Sequence, residues 1–419
     1  MERTPLTVAW LSYFPVEWLS GTPEEVMKLP RQHPTTWQRV LLAELEKMPF
    51  LRLHVLALRK DFERSRAFER NGVVFHLIKT IRGMRAPTLF WHDTCLIKRV
   101  LRDVKPDLLH AWGTESGAAL VASRLGYPYL VTIQGLASSC AESYPLNLYE
   151  RLAALLEPIS LARAPVITAE SRFAVEYVRH RLSGGGIRQI EVAPDPLFHG
   201  IERHPQLNPR RILFVAELGY RKGGDVLLSA LDRLRDEIDL ELIVVGRPDP
   251  KFLKKARTRI SPAVWKLIRF KENLSSSEIA CELATAAMVV FPTRADTGPM
   301  AVKEAVVAGV PVIGSTVGGI PDYIIPGQNG FLFTSGDVNG CIEAIRRVCE
   351  HPVLGRGLVT PGSLAEKRAY LSAELMAKKF AAAYSFAKEH GPAPELSLST
   401  DAGRNTGCSA EKVCGRTLS

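Results

Sequence analysis

The sequence predicts an alternating α/β chain made of two parallel-sheet halves that face each other across a cleft. Short apolar runs of strand length recur between stretches of helical spacing along all but the tail of the 419 residues. A polar, proline-bearing stretch from His199 to Arg210 divides the chain near its middle. The length exceeds one ordinary core, so two domains of about 150 to 200 residues are expected. Strands that alternate with helices form parallel sheets whose ligands bind at the strands' carboxyl ends, and two such sheets enclose a site between them.

The first half, residues 1–198, opens with LTVAWLS, which lacks the strong basic flank and small-residue cleavage site of a signal peptide and so reads as a buried first strand. Thr36 to Lys47 and Asp93 to Val104 are helical, and LRLHVLALR, VVFHLI, DLLHAWG, YLVTIQG and APVITAE are strands. Residues 199–210 form a linker. The second half, 211–362, has strands at RRILFVAEL, LELIVVG, LIRFKE, MVVFPT, PVIGST and FLFT, with helices at Gly224 to Asp236, Ser276 to Ala286 and Pro299 to Ala308. Pro299 suits a first helical turn because its missing N–H has no acceptor there, and Gly309 supplies the stop. One or two terminal helices occupy 363–390. The stretch 391–419, rich in Ser, Thr and Gly with little periodicity, reads as a disordered tail.

Composition excludes several classes. A hydrophobic fraction of 46% is ample for two cores. No run of about 18 apolar residues marks a membrane-spanning helix. The cysteines, at 95, 140, 281, 341, 349, 408 and 414, are odd in number and lack a C-x-x-C pair, which argues against a disulfide framework or zinc site and for reduced, cytoplasmic thiols. The formal charge of +10 is concentrated. Residues 59–85 hold Arg59, Lys60, Arg64, Arg66, Arg70, Lys79, Arg82 and Arg85 against Asp61, Glu63 and Glu69, and Lys251 to Lys271 is basic without an acid. Two readings stand: solvated helix faces, or contact with anionic membrane lipid or a phosphorylated acceptor. Nucleic acid is not expected, since the basic stretches lack interleaved aromatics and a recognisable binding motif.

Chemistry concentrates in 285–333. Asp296 lies in the loop before a helix start and Glu304 more than one turn inside it, so a sugar and a ribose can each meet a carboxylate while the free amides at the start attract oxyanions. Taken alone, Asp296 can equally cap the helix and Glu304 be a solvated charge. In the strand-turn-helix from Ile212, Arg221 and Lys222 sit in a glycine-punctuated loop able to grip a diphosphate, or form a surface turn. No D-x-D and no His or Cys cluster at ligand spacing is present, so no metal is expected.

Together these segments resemble the retaining enzymes of glycosyltransferase family 4, whose signature is E-G-F-G, then E-A-M-A-x-G-x-P-V, then G-G-x-x-E. The matching residues are Asp296 to Pro299, then Glu304, Ala305, Gly309, Pro311 and Val312, then Gly318, Gly319 and Asp322. The resemblance implies two Rossmann-like domains in the GT-B arrangement, with terminal helices crossing back to the first domain. It further implies a nucleoside-diphosphate sugar as co-substrate with no other cofactor, and a glycan or lipid-linked acceptor. Lys222 fits the family's lysine on the donor diphosphate, whereas Glu217 stands where the family has arginine, leaving Arg221 to supply the second positive charge. Gly298, Met300 and Ala301 would present donors at the helix start, although Pro299 removes one amide. Glu304 would accept ribose hydroxyls, and the loop Arg269 to Asn273 would border the base. In the first domain, Gln134 replaces a histidine that contacts the donor sugar in relatives, with His110 and Glu115 nearby in sequence. His110, directly after Leu108 and Leu109, also reads as a core residue. The long stretch from Phe14, with Trp18 and His33 and with Trp37 at its end, suggests an acceptor-facing flap, or in the case of Trp37 a helix anchor.

The expected function is therefore a retaining glycosyltransferase, cytoplasmic, with peripheral contact at the membrane's inner face left open by the basic segments, moving a sugar to a polysaccharide or lipid-linked acceptor. The alternative is a non-catalytic sugar-nucleotide or glycan-binding protein on the same scaffold, suggested by Glu217, Gln134 and Pro299.

Overall fold

The computed structural model describes residues 4–30, 35–81, 83–85, 87–181 and 186–390. The expected disordered tail, His33, Arg82, Cys408 and Cys414 lie outside them.

The first domain comprises β1 (Leu6–Leu11), α1 (Glu24–Met27), α2 (Thr36–Leu45), β2 (Leu51–Arg59), β3 (Arg66–Arg70), β4 (Val73–Lys79), α3 (Trp91–Val104), β5 (Leu108–Trp112), α4 (Ala118–Ala122), β6 (Tyr129–Thr132), α5 (Ala137–Ser143), α6 (Leu148–Ala162), β7 (Val166–Ala169), α7 (Arg172–Arg179) and β8 (Gly186–Gln189). These eight strands lie in the order β3-β4-β2-β1-β5-β6-β7-β8, and every pairing is parallel except β3 with β4. Strands β1, β5, β6 and β7 are buried on both faces, which is why they read as continuous apolar runs rather than alternating ones.

The second domain comprises β9 (Arg210–Val215), α8 (Gly224–Leu234), β10 (Leu240–Val245), α9 (Pro250–Arg257), α10 (Pro262–Lys266), β11 (Ile268–Lys271), α11 (Ser276–Thr285), β12 (Met288–Phe291), α12 (Met300–Ala308), β13 (Val312–Ser315), β14 (Gly330–Phe333) and α13 (Val338–Glu350), followed by α14 (Pro361–Tyr370) and α15 (Ala373–His390). Its six parallel strands run β11-β10-β9-β12-β13-β14. Counted from β9 this is third-second-first-fourth-fifth-sixth, the Rossmann order, and its topological switch point falls between β9 and β12. Ligands of such sheets bind outside the carboxyl ends at that crevice, so the loops after β9 and β12 are the ones to inspect.

Helix α15 returns to the first domain. Phe380 and Tyr384 enter its core, and the Tyr384 hydroxyl accepts from Trp10 Nε1 at 3.0 Å and meets His110 Nδ1 at 2.8 Å. Pro299 proves to be the extended residue just ahead of α12 rather than part of its first turn, while Gly309 ends the helix at φ +77°. The hairpin strand β3 and helix α6 had no clear periodic signal. Four arginines of the 59–85 block are engaged in ion pairs, Arg59 with Glu17, Arg66 with Glu25, Arg70 with Glu46 and Arg85 with Asp93, so this block is in large part structural rather than a free basic surface.

Candidate functional site

The loops at the switch point are stitched together by their own hydrogen bonds. Thr293 Oγ1 and the Arg294 amide both donate to the Arg221 carbonyl, and the Arg294 guanidinium reaches both oxygens of Asp225 at 2.7 and 2.8 Å. Glycines make the approach sterically feasible. A Cβ on Gly223, at φ +73°, would lie 1.9 Å from the Pro292 carbonyl oxygen; one on Gly318, at φ +56°, would lie 1.5 Å from that of Asp296. No other residue fits either place without moving the backbone. The Gly319 amide donates to Asp296 O, so the loop carrying Asp296 rests on the Gly318–Gly319 turn.

That bed aims Asp296 at Lys222. Lys222 Nζ donates to Asp296 Oδ2 at 2.5 Å and lies 5.1 Å from the centre of the Phe291 ring, while Asp296 Oδ1 accepts the Gly298 amide at 3.3 Å. The Gly298 donor is thus already taken by Asp296. The amides of Met300 and Ala301, in the first turn of α12, have no intrahelical acceptor and line the cleft. Glu304 is 8% exposed, one turn further along. Burial pushes its carboxyl up to about 7, helped by the charge of Asp195, and it has no hydrogen-bond or ion-pair partner among the described residues.

The first domain closes over this loop through Glu170. Lys303, 0% exposed, donates to Glu170 Oε2; Thr297 Oγ1 donates to Glu170 Oε1 and to the Gln134 carbonyl; and the Tyr323 hydroxyl donates to Glu170 O. Burial raises the Glu170 carboxyl against the opposing pull of the Lys303 ammonium. A Cβ on Gly298 would meet Glu170 Cδ at 2.5 Å, so this glycine admits the other domain's carboxylate. Beside it, Arg172 donates its amide and Nε to the two oxygens of Asp322, each at 2.7 Å.

Two cavities result. One of 460 Å³ lies between Trp37, Trp112, Gln134 and Glu170 of the first domain and Glu217, Arg221, Lys222, Asp296 and the start of α12 in the second. Its neighbour, of 500 Å³, lies between Ser139, Cys140, Glu142 and Phe173 on one side and Arg294, Thr316 and Gly318 on the other. Gln134, Arg221, Lys222 and Asp296 wall both cavities, so the Lys222–Asp296 pair stands where they meet.

Several expected residues are not brought there. His110 is fully buried, with Nδ1 on Tyr384 and Nε2 on Thr132, and burial drives its pKa well below the ordinary value; it is a core residue and not an acceptor contact. Arg269 turns to Glu241 at 2.6 Å, joining Arg211 toward the amino ends of β9 and β10, away from the cleft. Asn273, at φ 57° and exposed, follows the carboxyl end of β11 but does not line either cavity. Glu115 lies behind Gln134, its carboxylate cradled where Cβ atoms on Gly113 and Gly135 would fall 2.3 and 2.6 Å away. Burial and the nearby Glu157 push it up to about 7. Gln134 itself reaches the cleft, and its buried Nε2 has no acceptor among the described residues, as is true of Trp112 Nε1. Trp37 both packs on the first core and lines the cavity. The stretch expected to form a flap is anchored, since Phe14, Val16 and Val26 join that core.

Sequence reasoning missed Glu170, Lys303 and Trp112. Two signals were available: Glu170 ends an apolar strand, and Lys303 interrupts an otherwise apolar helix face.

Residues 41–194 match the model of the family described as Glycosyltransferase Family 4, and residues 209–351 that described as Glycosyl transferases group 1. Glycogen synthase of Mycobacterium tuberculosis is 26% identical over 265 residues, 60% of this chain and 62% of that protein, so the match falls short of two thirds of the relative's length. A GDP-mannose-dependent alpha-mannosyltransferase of Mycolicibacterium smegmatis is 29% identical over 267 residues, 61% of this chain and 68% of its own. Among solved structures, sucrose-phosphate synthase from Thermosynechococcus elongatus superposes with a TM-score of 0.73 at 16% identity, covering 91% of this chain and 98% of its own. Anabaena Alr3699/HepE in complex with UDP and glucose gives 0.67 at 15% identity, covering 91% and 100%.

Proposed function

Given that the chain belongs to the group 1 glycosyltransferases, with a family 4 first domain, we propose that it transfers a sugar from a nucleoside diphosphate to a glycan or lipid-linked acceptor with retention of configuration. The observation that carries this reading is the Lys222–Asp296 pair at the junction of two cavities, of 460 and 500 Å³, each walled by both domains. Relatives favour the same donor class, for HepE is described with UDP and glucose and the mannosyltransferase is named for GDP-mannose.

In this reading the donor lies along the second domain. Glu304 takes the ribose hydroxyls. The free amides of Met300 and Ala301, with Lys222 and Arg221, oppose the charge that grows on the diphosphate as its bond to the anomeric carbon breaks, so the protein's own cations do the work a metal would otherwise do. A diphosphate beside Lys222 competes with Asp296 for the ammonium and frees the carboxylate to hold sugar hydroxyls. The acceptor hydroxyl then attacks from the leaving-group face. The new bond joins its oxygen to the anomeric carbon, and its proton passes to the departing phosphate oxygen, so no side-chain base is needed. Gln134 Nε2, buried and without an acceptor among the described residues, donates in this reading to the sugar or the phosphate.

A second reading, a binding protein without transfer, is favoured by one feature. Glu217 puts a carboxylate with no ion-pair partner among the described residues into the cavity where the diphosphate would lie. Thermal-shift screening of UDP, GDP, ADP and their sugar conjugates, followed by NMR of any product, separates the two. The transferase reading expects a specific shift, lost in Lys222→Ala and Glu304→Ala, and a product whose anomeric configuration matches the donor. Inverted product would overturn retention. Donor binding without transfer to any of a broad acceptor panel would favour the binding protein.

A further inference from the structure

The outer surface of the first domain's helical layer has no part in the site above, and it is unusually apolar. Helix α6 turns Ala153, Glu157, Ser160 and Leu161 inward, where Glu157 accepts from the Ala137 amide and from Thr114 Oγ1. Its other face carries Leu148, Leu155 and Ile159, which share a side at helical spacing; Leu148 is 84% exposed and Leu155 69%. A helix that merely faces water places charged residues there. The turn leading into α3 adds Leu89 and Trp91, the latter 55% exposed. Contact places that turn beside α6, since Phe90 lines a small cavity with Tyr149, Leu152 and Leu156.

Cations are interleaved with these side chains. Arg124 donates to the Leu89 carbonyl at 2.7 Å and lies 4.5 Å from the Trp91 ring centre. Arg163 caps the end of α6, and Lys98, Arg99 and Arg102 project from α3, which packs with α6 on α4. None of these five is in an ion pair among the described residues, unlike the paired arginines of the 59–85 block. Single exposed leucines are ordinary. A cluster of them with Trp91, ringed by uncompensated cations, matches an interfacial surface for anionic lipid.

We propose that α6 and the Leu89–Trp91 turn dock on an anionic membrane surface, the leucines and the indole entering the headgroup boundary while Arg124, Arg163 and the α3 cations meet lipid phosphates. Tyr149 of the same helix donates to the Glu115 carbonyl, just behind Gln134, so docking brings the cleft close to the bilayer.

The test is co-sedimentation of the full chain with phosphatidylcholine vesicles with and without phosphatidylglycerol, at low and high salt. Binding is expected to the anionic vesicles and to weaken with salt. Leu148→Asp and Leu155→Asp should each lower the partition coefficient about tenfold, and Arg99→Glu with Arg163→Glu should lower it by a similar factor at low salt only. Phe50→Asp, exposed on another part of the domain, should leave it unchanged. Because all five side chains are exposed, unfolding temperatures should match the parent. Absence of binding to anionic vesicles, or equal binding by the Leu148→Asp/Leu155→Asp variant, overturns the proposal. A concentration-dependent dimer lost in those variants, without vesicle binding, would assign the face to a second copy instead. The assay involves no sugar transfer, so its failure leaves the proposed activity standing.

Discussion

Lys222 and Asp296 form an ion pair in the cleft, so in the proposed transfer their contributions are coupled. In the proposed transfer, Lys222→Ala takes away both a cation facing the diphosphate and the partner of Asp296, and kcat should fall by roughly 10²–10³-fold. Asp296→Ala should cost a similar factor, and the double variant little more than either single one, because the two act as a unit. Steady-state kinetics on the four proteins decides this; fully multiplicative losses would show that the pair is not functionally coupled. Glu304 makes a separate prediction. Its carboxyl titrates near 7 in the fold against an ordinary 4.5, so between those values the folded protein holds a proton that the unfolded chain has released. Stability therefore falls as pH rises through that window. Glu304→Gln should gain relative stability from about pH 5 to about pH 8, on the order of 2 kcal/mol, as read by denaturant unfolding.

At the scale of elements, the loops after β9 and β12 are held by glycines whose replacement drives atoms into backbone. Gly318→Ala combines a positive φ with a contact of 1.5 Å to Asp296 O and should cost about 1–3 kcal/mol or more, with loss of any nucleotide-induced thermal shift. Gly327→Ala is the control, with φ +77° but nothing within 4 Å of its Cβ, so it should lose stability while keeping the nucleotide response. Legibility also divides by element. Helix α12 and strand β12 were readable because a buried parallel strand is an unbroken apolar run and its helix follows directly on a proline and stops at a glycine. Helix α6 was not. Its apolar residues surround the helix, so no periodicity separates its inner from its outer face, and only packing shows that Glu157 points inward and Leu155 outward.

Across the whole molecule, the domains are latched by a buried ion pair and an exposed one. Lys303→Met leaves Glu170 as a buried, uncompensated carboxylate and should cost about 3–5 kcal/mol, much of it recovered when Glu170→Gln is added. Arg172 is largely exposed, so Arg172→Ala should cost under about 1 kcal/mol. Equilibrium unfolding measures both. If the Lys303 variant also shows a larger radius of gyration in solution scattering, the pair sets domain closure as well as stability. No helix among the described residues is long and apolar enough to cross a membrane.

The amino-acid sequence by itself determined the two alternating halves and the order of most strands and helices, and it set Lys222 and Asp296 in loops ahead of helices and Glu304 within one, because local periodicity, capping chemistry and motif spacing are encoded along the chain. Tertiary structure alone decided that Lys222 and Asp296 face each other across 74 positions, that Glu170 and Lys303 join the two domains, and that His110 and Arg269 turn away from the cleft. The physical reason is that a side chain's direction and charge partner are set by the strand order and the packing of loops distant in sequence, which no local pattern records.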